Sequence, residues 1–324
     1  MPEPTLICEV CGNTRQNTIH VAKEMMLGFR DEFEYFECSN CGCLQIKELP
    51  SNITKYYPEN YDSFRSPAIP KYSFIGKYLR TERDFYTIYQ KGIIGKLVSM
   101  LKPPSQKLIL LKKCNVTFDS NILDIGCGSG QLLLDLNQSG FKNLTGIDPY
   151  IKSDIVYDND VKIFKKEISA LECNYDLIML HHSFEHMPKP LNVFKNISRL
   201  LNKSGRVLLR TPTTSSYAWK HYGINWVQLD APRHLFLHSL KSIEILASTV
   251  NLKIKDIVYD STEFQFWGSE QYARNISLQE EKSYGRNAKK SIFTENEINS
   301  FKLKATQLNK EHLGDRICIY LTKE

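Results

Sequence analysis

Apolar residues recur along this chain with two periods, and the change between them marks its organisation. From residue 120 onward, short apolar runs alternate with stretches whose apolar positions return at helical spacing. That alternation is the pattern of strands joined by crossover helices in a parallel sheet. Strands are predicted at 121–125, 143–147, 161–164, 175–180 and 206–210, with two last strands at 252–259 and 316–321. Helices fit 130–138, 191–201 and 239–248, and the charged stretch at about 261–313 reads as a helical insertion. Upstream, 74–101 carries apolar positions at helical spacing and stops before Pro103 and Pro104, and 106–113 adds a short helix. The fold class is therefore α/β, with seven strands in its main sheet.

Residues 1 to about 50 are set apart by clustered cysteines. Ile7-Cys8-Glu9-Val10-Cys11-Gly12 returns as Glu37-Cys38-Ser39-Asn40-Cys41-Gly42, and five of the nine cysteines fall within the first 43 residues. Each Cys-x-x-Cys-Gly can close a tight turn that aims both sulfurs at one centre. Two such turns, at Cys8 and Cys11 and at Cys38 and Cys41, make a four-sulfur zinc site of the ribbon type. Cys43 could replace Cys41 as a ligand, but Cys38 and Cys41 have the turn spacing. The site is closed, so its role is structural. The expected division is a zinc-ribbon module at 1–54, an aromatic lid and helical connector at 55–119, and a main domain at 120–324. Tyr57 and Tyr61 belong to the aromatic stretch 55–64, which suits a lid or a contact between domains.

Composition narrows the function classes. The net charge of +6 is spread over 324 residues without an Arg-rich stripe, so nucleic acid is not the expected partner. No apolar run approaches the roughly 18 to 20 residues of a bilayer helix. Pro2, Glu3 and Pro4 stand where a secretory leader would carry basic residues, so a cytoplasmic location is expected.

The most specific signal is Leu123-Asp124-Ile125-Gly126-Cys127-Gly128-Ser129-Gly130, a glycine-rich turn between a strand and a helix. Gly126 and Gly128 let a ligand approach the backbone, and Gly130 lets the helix start close to the strand. Cys127 fits this loop as a small packing side chain. Asp124 can accept a hydrogen bond from a cationic amino group, and Asp148, ending the second strand, can reach both hydroxyls of a ribose. Together they select a nucleoside attached to an amino acid. Over 120–260 these residues resemble the class I methyltransferases, whose motifs look like 123–130, Gly146-Ile147-Asp148-Pro149, Tyr175-Asp176-Leu177-Ile178 and the strand at 206–209. The resemblance implies a Rossmann-like methyltransferase sheet, S-adenosylmethionine as cofactor, and adenine held by Glu167 on its exocyclic amine and Ile168 against its ring. Glu167 stands where that family usually has aspartate.

Candidate chemistry follows the fourth strand, in His181-His182-Ser183-Phe184-Glu185-His186. A hydroxyl acceptor is a poor nucleophile until a base removes its proton, and His186 is the first choice for that base, with Glu185 orienting it or polarising the acceptor. A second reading gives His182, Glu185 and His186 to a metal, completed by His234; its spacing resembles the Glu-x-x-Glu-His sites of metal-dependent methyltransferases. A third has these residues only cap and pack the turn before Pro188. The ribbon, the tyrosines and the run from Trp226 through Leu235 resemble bacterial methyltransferases of sugar and surface-polysaccharide pathways. That implies O- or C-methylation of a sugar, nucleotide-sugar or glycan. An rRNA methyltransferase and a non-catalytic binding protein of the same fold are the alternatives.

Overall fold

The computed structural model describes residues 6–58, 67 and 73–324. Along the chain, β1 (Thr18–Lys23), β2 (Glu32–Glu37) and β3 (Leu44–Ile46) precede α1 (Phe74–Tyr89), α2 (Ile93–Leu101) and α3 (Gln106–Leu111). Then come β4 (Asn121–Ile125), α4 (Gln131–Gln138), β5 (Asn143–Ile147), β6 (Ile155–Val156), β7 (Lys162–Phe164), β8 (Tyr175–His181), α5 (Pro190–Leu200) and β9 (Leu201–Pro212). The chain ends with α6 (Tyr217–Tyr222), β10 (Phe236–Leu237), α7 (Leu240–Thr249), β11 (Leu252–Tyr259), α8 (Phe264–Ala273), α9 (Glu295–Lys310) and β12 (Arg316–Lys323).

Among the described residues the main sheet runs β11-β12-β9-β8-β4-β5-β7-β6. Its seven expected strands are present, and the eighth is the two-residue β6, antiparallel to β7 at the edge. The centre is parallel, whereas β12 pairs antiparallel with both β9 and β11, so the sheet is mixed. Side chains alternate across it with a period of two. Leu123, Ile125, Ile178, Leu180, Val207 and Leu209 pack on one face with Phe194 of α5 and Leu246 of α7. Ile122, Leu177, Met179 and Leu208 pack on the other with Leu108 of α3 and Leu133 of α4. Burial on both faces explains why these strands read as continuous apolar runs.

Three expectations change in detail. The helical pattern at 74–101 is two helices, broken where Gln90 and Gly92 take positive φ of 55° and 98°. The two cross at Gly95, where a Cβ would stand 2.1 Å from the Glu82 carbonyl oxygen. The strand at 206–210 is the middle of β9, a 12-residue strand that begins directly after α5. The insertion at 261–313 contains α8 and α9, with irregular chain and a short 3-10 turn at Ala288–Lys290 between them. Phe266 of α8 packs on Ala305 and Leu308 of α9, and Tyr217 and Tyr222 of α6 lie against them.

The amino-terminal residues form a second sheet of order β1-β2-β3-β10, whose last strand comes from the main domain. Phe236 and Leu237 pair antiparallel with Gln45 and Leu44. Cys8, Cys38, Cys41 and Cys43 belong to the same apolar cluster as α5 and α7. Of the aromatic stretch, residues 59–64, including Tyr61, lie outside the described residues. No described helix is long and apolar enough to cross a membrane.

Candidate functional site

The carboxyl ends of β4, β5 and β8 open onto a cleft of about 1010 Å³ including its mouth. This is the position where ligands meet an open α/β sheet. Gly126, Gly128 and Gly130 all have positive φ (72°, 54° and 84°), which only glycine takes without strain. Packing adds a second requirement at two of them. A Cβ on Gly126 would come within 2.5 Å of Ser183, and one on Gly130 within 2.6 Å of Ile163. Ser183 Oγ in turn donates to the Ile125 carbonyl at 2.7 Å, tying the end of β8 to the loop.

Asp148, Glu167 and Ile168 line this cleft with Tyr57, Tyr150, His182 and His186. The Asp148 carboxylate accepts the N–H groups of Gly128 and Tyr150, both at 2.9 Å, so the aspartate braces the loop whose ligand it faces. Burial raises its pKa, and those two N–H groups and His186 oppose the rise. A carboxylate offers about four lone-pair positions, so two remain for other donors. Asp124 is buried and is not part of the cleft wall. Burial pushes its pKa up to about 7 against the charge of Lys107, and Asp148 adds to the rise. Cys127 packs on Gly146, where a Cβ would meet its sulfur at 2.5 Å, and burial pushes its thiol pKa up, so it is a packing residue.

The segment after β8 turns through Phe184–His186, and Leu235 N–H bonds the Glu185 carbonyl at 2.8 Å. His186 lines the cleft and its Nδ1 lies 2.8 Å from the Arg233 carbonyl oxygen. A carbonyl only accepts, so Nδ1 carries the proton and Nε2 keeps the free lone pair. Burial and the neighbouring His234 lower its pKa against the pull of Glu185, which favours the neutral ring. Tyr57 OH stands 3.3 Å from the same Nδ1. His234 is fixed likewise, Nδ1 at 2.7 Å from the Gln228 carbonyl. Glu185 is fully buried, with Oε2 accepting from Thr211 Oγ1 at 3.0 Å and Oε1 3.3 Å from His182 Nδ1. Burial alone would raise its pKa, but the His182 bond and the surrounding histidines bring it down to about 2. Donor atoms of Glu185, His186 and His234 lie within 4.8 Å of one another, and His182 falls outside that set. The four sulfurs of Cys8, Cys11, Cys38 and Cys41 form another such group, from which Cys43 is absent. Cys43 Sγ lies instead 3.8 Å from His238 Nδ1.

Residues 89–256, just over half of the chain, match the methyltransferase domain family. The chain belongs to that family. Among curated relatives, the ubiquinone biosynthesis O-methyltransferase of Sodalis glossinidius is 25% identical over 152 residues, covering 42% of this chain and 61% of that protein. The tRNA U34 carboxymethyltransferase of Sulfurimonas denitrificans is 29% identical over 155 residues, covering 42% of this chain and 51% of that one. The chain thus spans less than two thirds of either relative. A solved structure of a cyclopropane synthase from Mycobacterium tuberculosis superposes at a TM-score of 0.42 with 16% identity, over 66% of this chain and 82% of that one.

Within this methyltransferase domain the site has supporting residues that the sequence did not reveal. Arg233 is wholly buried between Asp230, which receives its Nε at 3.0 Å, and Glu24, whose Oε1 is 3.4 Å from Nη1. Glu24 also accepts the N–H groups of Leu27, Gly28 and Phe29 at 2.7 to 2.9 Å. Tyr35 OH donates to the His234 carbonyl at 2.9 Å. The loop that orients both histidines is therefore clamped by the amino-terminal sheet. Arg233 lies inside the run 226–235 already noted, but Glu24 has no local signal, because its partner is 209 residues away.

Proposed function

We propose that this methyltransferase transfers a methyl group to a hydroxyl of a small sugar or glycan acceptor, with His186 as the general base. The observation that carries this reading is the fixed His186 ring, its Nδ1 spent on the Arg233 carbonyl and its Nε2 lone pair left free in the wall of the cleft that Asp148 shares. Asp148 accepts from the ribose hydroxyls, while Glu167 and Ile168 hold the adenine. Asp124 supports the loop from beneath the wall as a buried carboxyl, and Gly126, Gly128 and Gly130 admit the ligand to the backbone. S-adenosylmethionine, when bound, supplies an electrophilic methyl on a sulfonium sulfur. His186 Nε2 takes the hydroxyl proton as the oxygen–carbon bond forms and the sulfur–carbon bond breaks, leaving a methyl ether and a neutral thioether. The sugar assignment is supported by the resemblance of residues 226–235, and the oxygen by the O-methyltransferase among the relatives.

A second reading is favoured by one specific observation. Glu185 Oε1 is fully buried with His182 Nδ1 at 3.3 Å, beside two histidines whose Nδ1 atoms are each held by a backbone carbonyl. Such outer-sphere bonds are usual for metal-ligating histidines, so Glu185, His186 and His234 fit a divalent cation that would polarise the acceptor oxygen. One experiment separates the readings: turnover of wild type and His186→Ala with labelled cofactor and sugar extracts, with and without chelator. A base predicts loss in the variant, unchanged cofactor affinity and indifference to chelation. Loss on chelation with recovery on added cation assigns the metal, and label entering RNA instead of sugar overturns the acceptor class.

Cys8, Cys11, Cys38 and Cys41 are proposed to hold a structural Zn²⁺ in a ribbon module at 1–54. Cys8 and Cys41 sulfurs are 3.6 Å apart and those of Cys11 and Cys38 3.5 Å. A tetrahedron with Zn–S bonds of about 2.3 Å has edges of about 3.8 Å, so the cradle has the right size.

A further inference from the structure

Helix α2 is built inside out. Its exposed apolar residues fall at 93, 94, 97, 100 and 101, an arc of about 120° on a helix of 100° per residue, with half-buried Val98 at the margin. In a helix that covers a core this arc faces inward. Here the face packed on α1 is that of Gly95, and the apolar arc faces solvent. Ile93, Leu97, Met100 and Leu101 are 80%, 57%, 74% and 88% exposed. The short connection folds α2 back along α1, whose first turn adds Phe74 and Ile75 at 89% and 69%. The hairpin is nevertheless firmly seated: Ser139 Oγ donates to Asp84 at 2.6 Å, and Arg80 Nη1 donates to Gln138 at 3.0 Å. Single exposed apolar side chains are ordinary, but a contiguous face of this kind marks an interaction surface.

Charge identifies the occupant. From residue 85 to 118 the only charged side chains are six lysines, at 91, 96, 102, 107, 112 and 113, with no Asp or Glu. They equal the net charge of the whole chain, +6, so the remainder is neutral in sum. Lys91, Lys96 and Lys102 are exposed around the apolar arc, while Lys113 is paired with Asp256. A second copy would set lysines against lysines across a two-fold contact. A convex helix with an apolar ridge and lysine margins matches the headgroup boundary of an anionic bilayer. We propose that the α1–α2 hairpin docks the protein on anionic lipid membranes, the ridge of α2 entering the interface without crossing it.

The test is co-sedimentation of the full chain with vesicles of phosphatidylcholine alone, or with about one third phosphatidylglycerol. Two variants accompany it, Leu97→Ser/Met100→Ser/Leu101→Ser and Lys91→Gln/Lys96→Gln/Lys102→Gln; all six positions are exposed, so unchanged melting temperatures are expected. Wild type should partition at least about tenfold more strongly onto the anionic vesicles, and each variant should lose about that much. Equal partition onto both vesicle types, or variants that bind like wild type, overturns the proposal. A wild type that fails to pellet but sediments as a dimer gives the face to a second copy, and one that fails to pellet but binds polyglutamate gives it to an acidic protein; either result overturns the lipid assignment.

Discussion

Replacing Asp124 by asparagine removes a buried carboxylate whose cost can be read from its titration. In the fold its pKa is about 7, against about 3.9 in an unfolded chain. The folded state therefore binds the extra proton between those values. The stability this confers is fully present below about pH 4 and is lost as pH rises through about 7. Between about pH 5.5 and 8.5 the loss is about 1.5 pH units' worth of linkage, or about 2 kcal/mol. Asparagine has nearly the same shape and does not titrate, so Asp124→Asn removes this component while other groups continue to contribute theirs. Urea unfolding of both proteins at the two pH values gives the double difference directly. The wild type should lose about 2 kcal/mol more than the variant over this interval. Equal losses would refute the claim that Asp124 is held as a buried carboxyl.

Two more variants probe the framework around the site. Glu24→Gln removes one of the two carboxylates paired with buried Arg233; it should cost about 2 to 4 kcal/mol in urea unfolding and lower turnover more than cofactor affinity, since Arg233 supplies the carbonyl that orients His186. A parallel loss of affinity would place Glu24 in general stability instead. Cys8→Ser or Cys38→Ser should abolish stoichiometric zinc by elemental analysis and expose the amino-terminal sheet to proteolysis; a wild type purified without chelator and free of zinc would remove the ribbon.

The sequence was most legible where burial is two-sided. Strands such as β4 and β8 have apolar residues on both faces and are bounded by glycine or polar turns, so their positions follow from local pattern alone. The loop Gly126-Cys127-Gly128-Ser129-Gly130 was equally plain, because positive φ and close contacts each demand glycine there. The amino-terminal sheet was not legible. In β1 only Ala22 is buried, and β2 is a short run in which exposed Glu32 and Glu34 flank Phe33 and only Tyr35 and Phe36 are buried, so neither run stands out. Its fourth strand, β10, is two residues long and arrives from beyond residue 230, where no local signal could announce it. The same distance hid the Glu24–Arg233 clamp. Periodicity also could not say which side of α2 faces in; that depended on Gly95 meeting the backbone of α1.

The central claim is that the cleft at the ends of β4 and β5 holds the cofactor through Asp148. Calorimetric titration of wild type and Asp148→Ala with S-adenosylmethionine tests it most directly, since the side chain both braces the loop and faces the cleft. One-site binding by wild type, weakened in the variant by about 1.5 to 3 kcal/mol, roughly tenfold to a hundredfold in Kd, is the result expected from losing a charge-assisted acceptor. An unchanged Kd in a folded variant would contradict it.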